Sequence, residues 1–326
     1  MDRRGLSLTI NQQIIIFSLV FPLVICEKLT NSEVFYVKEN CGHHYLAGKS
    51  KHKSNGGREL KENEYPWLVT VIKEDAVCNG VLISYRHLLT AARCLVKSSD
   101  SEKPAWECKE EGLGKKRQLI SPVSKLTVSV SSKCLEFSSC EGERLKVQQV
   151  YIPDDFDECD DENDLAMVEL EYSVSPKVRA PICIPSRPLN ISRNLITVGT
   201  GSKAQSGENS ATKGKQVIDL FFIRALHKFI LTTSKPGIAV CASDMGSPVF
   251  QNDTAGVHTL VGILSRGYTC AENDNTSPDE PEKWNPCTHA LNGATDVSTD
   301  IRKNLEWICE MSGAVLDQRL LKYVLS

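Results

Sequence analysis

The 326-residue sequence lacks several features that would assign it quickly to a class of protein. No two cysteines stand in a Cys-x-x-Cys pair, which argues against zinc sites of the finger or ribbon type. A formal net charge of −3 excludes a polybasic nucleic-acid binder, and the absence of a repeat of fixed period argues against a solenoid. The apolar content of 41%, by contrast, is that of an ordinary globular protein.

The one unusual number in the composition is the count of 13 cysteines, and the N-terminal sequence indicates a compartment that suits it. A short start with two arginines, Asp2–Arg4, precedes an apolar run at Ile14–Ile25. This run is shorter than the ~20 residues that cross a bilayer, and no later segment reaches that length either. The pattern predicts a secretory signal peptide at residues 1–26, with a signal anchor as the alternative. Its cleavage leaves twelve cysteines, an even number that suits disulfide pairing outside the cell.

The sequence contains three Asn-x-Ser/Thr sequons, at Asn190, Asn252 and Asn275, which are relevant because a secreted chain can be glycosylated. Sequons arise often by chance, but in a secreted chain each one is a candidate glycosylation site on an exposed surface. We therefore expect a secreted, extracellular glycoprotein with no membrane span after removal of the signal peptide.

Short apolar or alternating segments recur along the chain, separated by polar segments that contain Gly or Pro. This pattern favours an all-β protein, and the absence of strict alternation between strand and helix indicates barrels or a sandwich. One helix is predicted at Thr299–Glu310, where the apolar residues share one face. The predicted strands are Trp67–Ile72, Gly80–Leu89, Leu126–Val130, Leu145–Ile152, Leu165–Leu170, Leu195–Val198, Val217–Ile223 and Leu260–Leu264.

An acidic segment at residues 154–164 carries eight Asp or Glu residues in eleven. The spaced Asp-x-Asn-x-Asp-Gly pattern of a calcium loop is absent, so we expect a solvated acidic loop. The sequence predicts no metal site and no cofactor.

Five segments, taken in their order along the chain, resemble the trypsin-like serine proteases of the chymotrypsin fold. They are Gly56-Gly57 with Pro66-Trp67 nine residues on, CNGVLISYRHLLTAARC from Cys78 to Cys94, Asn163-Asp164-Leu165-Ala166, CASDMGSPVF from Cys241 to Phe250, and VGILSRGYTCA from Val261 to Ala271. The resemblance covers roughly Ser54 to Cys309. It implies two packed six-stranded antiparallel barrels with a C-terminal helix, and a site in the crevice between the barrels. It also implies a pro-like segment at 27–53, a protease-homologue domain at 54–311 and a tail at 312–326.

The resemblance shows that two of three catalytic residues differ from the family. A protease of this kind uses a serine nucleophile, a histidine base and an aspartate that orients the histidine. The histidine of Thr-Ala-Ala-His-Cys is Arg93 here, and the serine of Gly-Asp-Ser-Gly-Gly-Pro is Met245. Arginine stays protonated at any relevant pH, and a thioether has no proton to lose. Only Asp164 remains, and we predict that it forms a salt bridge with Arg93.

No other residue stands where it would restore the triad. Ser243 and Ser247 lie two residues before and after Met245, and none of the seven histidines occupies the required position. His87, six residues before Arg93, is expected to be an exposed or capping side chain. Ser243 also replaces a glycine whose backbone N–H points into the oxyanion hole of the family. A rewired active endopeptidase is therefore the less favoured alternative.

The positions for specificity and activation also depart from the family pattern. Ala239 replaces the aspartate with which trypsins bind basic side chains, and Arg266 replaces the tryptophan of the Ser-Trp-Gly pocket wall. The segment 53–57, KSNGG, lacks the apolar residues that anchor a newly cut amino terminus, so we do not expect proteolytic activation. Asp244, which binds that terminus in the family, then needs another partner, and the sequence does not name it.

Three disulfides are implied by the resemblance. They are Cys78–Cys94 beside the histidine position, Cys241–Cys270 beside the specificity pocket, and Cys41–Cys183, which would tether the N-terminal segment. Six cysteines remain and allow fifteen pairings, among which our prediction is Cys287–Cys309 and the rest stay open. They are Cys108, Cys134, Cys140, Cys159, Cys287 and Cys309.

The segments Glu27–Thr30 and Cys41-Gly42, with the altered site, further resemble a nematode group of secreted trypsin-like proteins, many of which lack complete triads. We therefore predict an inactive serine protease homologue, a pseudoprotease, that binds or regulates an extracellular protein or peptide. Arg93, Met245 and Arg266 would line a cleft suited to an acidic or apolar partner segment. An active endopeptidase, and a glycoprotein whose cleft has no function, are the alternatives.

Overall fold

A computed structural model of the protein describes most of the segments on which these predictions rest. The described residues are 28–43, 58–61, 63–74, 76–96, 118–130, 134, 140, 144–157, 159, 163–185, 189–199, 202–203, 215–235, 238–240, 242–266 and 295–314. The predicted signal peptide at 1–26, most of the predicted tail, Asn275 and the Cys241–Cys270 pair lie outside these residues. No helix among the described residues is long and apolar enough to cross a membrane.

Strands dominate the described part of the chain, as the sequence pattern predicts. Two α-helices lie near its ends, α1 (Asn31–Asn40) and α2 (Leu305–Ser312). The strands are β1 (Arg58–Glu59), β2 (Leu68–Lys73), β3 (Ala76–Leu82), β4 (His87–Thr90), β5 (Thr127–Ser129), β6 (Arg144–Tyr151), β7 (Ala166–Leu170), β8 (Asn194–Gly199), β9 (Ser202–Lys203), β10 (Gln216–Leu226), β11 (Phe229–Ser234), β12 (Ile238–Ala239), β13 (Pro248–Asn252), β14 (His258–Arg266) and β15 (Thr295–Asp300).

The first barrel is closed by antiparallel pairs in the order β2-β3-β4-β7-β6-β5. Its strands are apolar because their side chains fill the barrel, and Leu88 and Val168 are fully buried on adjacent strands. Burying one such aliphatic side chain stabilises the fold by about 1.5–3 kcal/mol. This barrel therefore provides a rigid wall for whatever lies at its edge.

The second barrel runs in the order β10-β11-β15-β14-β13-β8 and closes through the pairing of β8 with β10. The short strand β1 adds to β10, where Arg58 lies opposite Val217. The prediction of two six-stranded antiparallel barrels followed by a C-terminal helix is thus confirmed.

The helix α1 belongs to the segment that resembles a pro-segment, and the sequence pattern did not predict it. It begins with a capping box, in which Thr30 Oγ1 accepts from Glu33 N at 3.3 Å and the Glu33 carboxylate accepts from Thr30 N at 2.8 Å. A disulfide between Cys41 and Cys183 ties the end of this helix to the segment that precedes the second barrel. This segment is therefore built into the fold by a covalent bond.

The C-terminal helix begins later than the predicted range Thr299–Glu310. The first part of that range belongs to β15, and Asp300 Oδ1 accepts from Arg302 N at 3.0 Å to start a single 3₁₀ turn, Ile301–Lys303. The helix α2 follows and ends at Gly313, whose φ of 71° is the left-handed conformation that glycine adopts without strain.

Candidate functional site between the two barrels

Three segments from the two barrels meet and bring the predicted triad positions together. Arg93 lies in a 3₁₀ turn, Ala92–Cys94, which follows β4, and Asp164 stands just before β7. Met245 follows a second 3₁₀ turn, Ala242–Asp244, and precedes β13. Arg93 N donates to Asp164 Oδ1 at 2.9 Å, and Cys94 Sγ lies 3.8 Å from the Met245 carbonyl oxygen. Arg93, Asp164 and Met245 therefore occupy one site.

The side chain of Asp164 is fully buried, and its described surroundings include two hydrogen-bond donors and one cation. Its Oδ1 accepts from the Arg93 backbone, and its Oδ2 accepts from Ser265 Oγ at 2.7 Å. The Arg93 Nε atom lies 3.6 Å from Oδ2, and the Arg93 side chain is 18% exposed. The predicted salt bridge is therefore present. At 3.6 Å the guanidinium Nε acts through its charge, since this separation exceeds an ordinary hydrogen bond.

The ion pair explains why an aspartate persists at this site. An ionised carboxylate buried without a partner costs several kcal/mol, and the cation together with two hydrogen bonds offsets that cost. Arg93 itself cannot act as a general base, because a guanidinium has no lone pair to accept a proton. Asp164 and Arg93 form a structural ion pair in this arrangement.

The loop that carries Met245 keeps a tight backbone conformation. Asn79 N donates to the Met245 carbonyl at 3.2 Å, and Gly246 N donates to the Leu264 carbonyl at 2.9 Å. Gly246 has a φ of 84°, and a Cβ at this position would lie 2.2 Å from the Asn79 carbonyl oxygen. Only glycine fits there. The loop is thus held from both barrels. The residue at the nucleophile position, Met245, differs from the serine of the family motif in its side chain.

The two serines near Met245 differ in their surroundings. Ser247 is fully buried, and its Oγ has no hydrogen-bond partner among the described residues. Ser243 is exposed, and its carbonyl oxygen accepts from Asn79 Nδ2 at 3.4 Å. A serine nucleophile needs a base within hydrogen-bond reach. Two of the described histidines have other partners, since His87 Nδ1 lies 3.0 Å from Ser84 Oγ and His258 Nδ1 lies 3.1 Å from the Gly42 carbonyl oxygen.

His87 is buried, so the expectation of an exposed side chain was wrong. It lies at the start of β4, where Ser84 Oγ accepts backbone N–H groups from Arg86 and His87 at 3.1 and 2.9 Å. The Ser84 hydroxyl is 3.0 Å from His87 Nδ1. Burial, followed by the charge of Arg86, lowers the pKa of His87 to about 4. This serine–histidine pair is part of a buried turn and cannot reach a substrate.

The predicted specificity positions lie on separate strands of the second half of the chain. Arg266 is exposed at the end of β14, directly after the buried Ser265. Ala239 ends the two-residue strand β12 and pairs with Ser202 of β9. Sequence reasoning placed Ser265 only in the pocket wall and missed its hydrogen bond to Asp164.

The disulfides of the described residues include both pairs that the resemblance implied there, Cys41–Cys183 and Cys78–Cys94. Cys78 lies on β3 and Cys94 in the turn that carries Arg93, so this bond fixes the turn to the first barrel. A further bond joins Cys134 to Cys140, which is one of the pairings that the sequence left open. Cys159 is also disulfide-bonded.

Two of the three sequon asparagines, Asn190 and Asn252, are exposed. Gln251 connects their segments, because its amide donates to the Asn190 carbonyl at 3.1 Å and accepts from Ser192 N at 2.8 Å. The third sequon, at Asn275, lies outside the described residues. Both described sequons are therefore accessible to solvent.

A groove of about 680 Å³, which the sequence did not reveal, lies between the acidic segment, the β10–β11 turn and α2. Its walls include Tyr151, Trp307 and Met311, and Lys228 forms a salt bridge with Asp155 at its side. Asp155 is exposed, as a solvated acidic loop requires. Across the described ranges, no group of three or more His, Cys, Asp or Glu residues is placed to hold a metal ion.

The fold and this site define a two-barrel protein of the chymotrypsin type, and comparison with known proteins agrees. Residues 54–279 match the family model described as Trypsin, and this match covers more than half of the chain. The chain therefore belongs to the trypsin family.

Similar proteins of known name share about a quarter of their aligned residues with this chain. The venom peptide isomerase heavy chain of Agelenopsis aperta is 22% identical over 238 residues, which are 66% of this chain and 89% of that protein. The proclotting enzyme of Tachypleus tridentatus is 25% identical over 280 residues, 78% of this chain and 65% of the enzyme. Mannan-binding lectin serine protease 1 of Mus musculus is 24% identical over 258 residues, 72% of this chain and 34% of that protein. The chain thus spans only part of the last two relatives.

Proposed function

We propose that this protein is a secreted, catalytically inactive homologue of serine proteases that acts by binding another extracellular protein or peptide. The observation that carries the proposal is the ion pair between Arg93 and Asp164, which places a permanent cation where a general base is required. Met245 adds a second obstacle, because its thioether cannot form an acyl-enzyme. Loss of the base or of the nucleophile alone costs about 10⁶ in turnover.

Secretion is supported by the N-terminal sequence and by the disulfides. A chain of this size with bonds at Cys41–Cys183, Cys78–Cys94 and Cys134–Cys140 is suited to an oxidising compartment. The names of the proclotting enzyme and of mannan-binding lectin serine protease 1 indicate that the family includes active enzymes. An active endopeptidase that uses Ser243 or Ser247 is the second candidate, and the exposure of Ser243 is the observation that favours it.

A fluorophosphonate probe, which labels activated serines, distinguishes the two candidates. We expect no adduct on the natural chain and labelling of the double variant Arg93→His, Met245→Ser, because the backbone of the loop is already held by Asn79 and Leu264. The single variant Met245→Ser is the matched control, since it supplies a hydroxyl without a base, and it should label far more slowly. An adduct on the natural chain at Ser243 or Ser247 would show that the protein is an active hydrolase.

The binding role follows from the side chains that replace the catalytic ones. Arg266 is exposed and Arg93 is partly exposed, so two cations stand near the crevice and favour an acidic partner segment. We expect fluorescent acidic peptides to bind more tightly than their Lys-substituted counterparts, with affinity falling as salt rises. Arg266→Glu should reverse this preference, and Lys125→Glu, a charge change at an exposed site in the first barrel, should leave it unchanged. Equal binding of acidic and basic peptides would contradict a cationic cleft.

A further inference from the structure

Lys215 is a buried lysine directly before β10, with a side-chain environment that is unusual for an ammonium group. The residue is 3% exposed, and its Nζ donates to Thr70 Oγ1, on β2 of the first barrel, at 2.9 Å. The Thr70 hydroxyl donates in turn to the Cys134 carbonyl at 3.3 Å. Lys215 therefore reaches from one barrel into the other. A buried ammonium is costly unless a carboxylate balances its charge.

Asp244 is the carboxylate that the register of the second barrel brings to this point. It is fully buried, and a Cβ added to Gly199 would lie 2.3 Å from its carboxylate carbon. Gly199 lies directly opposite Gln216 in the pairing of β8 with β10, and Gln216 is the residue after Lys215. The Asp244 carboxylate thus packs against Gly199, the residue of β8 that lies opposite the first residue of β10. Lys215 and Asp244 approach the barrel junction from adjoining backbone segments.

The electrostatics of Lys215 agree with this placement. Burial lowers its pKa, the negative charge of Asp244 raises it, and the nearby Arg179 lowers it, so that it comes to about 8. Arg179 is engaged with Asn63, to which it donates at 2.8 Å. Lys215 is therefore a cation at neutral pH, and Asp244 is the carboxylate whose attraction favours that form.

We infer that Lys215 is an internal counter-ion of Asp244, and that it sets the loop at residues 242–246 in the uncut chain. The resemblance to trypsin-like proteases implies that a cut normally frees an ammonium for this aspartate. In this chain a lysine side chain supplies an ammonium from within the second barrel. Cleavage after Lys53 is then unnecessary for the conformation of the cleft. This inference holds whether or not the cleft has catalytic activity.

A double-mutant cycle on the full secreted chain tests the pairing. Lys215→Met leaves Asp244 buried without this cation, and we expect the melting temperature to fall by about 10 °C. Asp244→Asn should also lower it, and the double variant should lose clearly less than the sum of the two. Lys125→Met, which removes an exposed lysine paired with Glu74, is the matched control and should combine additively with Asp244→Asn. Additive losses for Lys215→Met and Asp244→Asn would overturn the inference.

A second measurement uses the natural chain and does not depend on any variant folding. The chain is cut with trypsin, cleavage after Lys53 is verified by mass spectrometry, and hydrogen exchange is followed at residues 242–246. We expect the protection of this loop and the melting temperature to be the same before and after the cut. A rise in either one on cleavage would show that the new terminus supplies the cation, which contradicts the role given to Lys215.

Discussion

Two buried carboxylates stand at the barrel junction, and the comparison between them shows how the site has been rebuilt. Asp164 faces Arg93, whose side chain is 18% exposed, and it also accepts hydrogen bonds from Ser265 and from the backbone. Asp244 is also fully buried, and its negative charge raises the pKa of the buried Lys215. Both carboxylates are thus buried, but Asp164 faces a partly exposed cation and Asp244 acts on a buried one. Interior charges depend more strongly on their partners, because water cannot replace a lost one.

The largest expected effect separates the two carboxylates directly. Asp244→Asn leaves the buried Lys215 ammonium without its carboxylate, and we expect a loss of about 3–5 kcal/mol in the free energy of unfolding. Asp164→Asn leaves Arg93, which can turn toward solvent, so its loss should be clearly smaller. Urea unfolding followed by fluorescence measures both. Equal losses would mean that the two carboxylates are balanced in the same way.

The pH dependence of the free energy of unfolding contains a contribution from His87, which has to be measured before the two carboxylates are compared. The pKa of His87 is about 4 in the folded protein, below its ordinary value of 6.5. As the pH falls from 6.5 to 4, the unfolded chain binds a proton at His87 and the folded chain does not, so stability falls. The loss amounts to about 3 kcal/mol. Chemical unfolding at several pH values should show this loss in the natural chain and a much shallower slope in His87→Gln; identical slopes would refute the assignment.

A smaller effect divides the stabilisation of Asp164 between its partners. Ser265→Ala removes the hydroxyl that donates to Oδ2, and a hydrogen bond to a charged group contributes about 1.5–3 kcal/mol. The loss should shrink in an Asp164→Asn background, where the acceptor carries no charge. Thermal unfolding of the two single variants and the double variant provides this coupling. If Ser265→Ala lowers the stability equally with Asp and with Asn at position 164, the hydrogen bond to Asp164 is not how Ser265 stabilises the fold.

The smallest expected effect lies far from both carboxylates and tests whether the N-terminal segment belongs to the fold. Thr30→Ala breaks the capping box of α1 and should cost about 1 kcal/mol. This cost should add to that of Asp164→Asn and of Asp244→Asn, since the described hydrogen bonds of Thr30 are made within α1 and its cap. Circular dichroism melts of the combined variants check this additivity, and a strong coupling would link α1 to the barrel junction.

Much of the fold could be predicted from the sequence because most strands bury apolar side chains. The predicted run Gly80–Leu89 is nevertheless two strands, since Ser84 Oγ satisfies two backbone N–H groups and allows a tight turn at residues 83–86. The strand β15 was missed because its buried residues are polar. Ser298, Thr299 and Asp300 are fully buried there, and Thr299 Oγ1 donates to the Asp164 carbonyl at 2.9 Å.

Some contacts of the site could be predicted from sequence motifs, and others depend on the fold. The Arg93–Asp164 pair was predictable because both residues stand in recognisable segments. Lys215 lies in a polar stretch with no sign of burial, and its proximity to Thr70 depends on the contact between the barrels. For α1, a signal was present and unused, namely Thr30 followed three residues later by Glu33.

An intact cleft without the chemistry of proteolysis is what we propose for this chain. The most direct test incubates the purified natural chain with a broad peptide library over pH 5 to 9 and identifies new termini by mass spectrometry. We expect no cleavage above that of the protein-free control. Cleavage that disappears in Ser243→Ala or Ser247→Ala would contradict it and identify the relocated nucleophile.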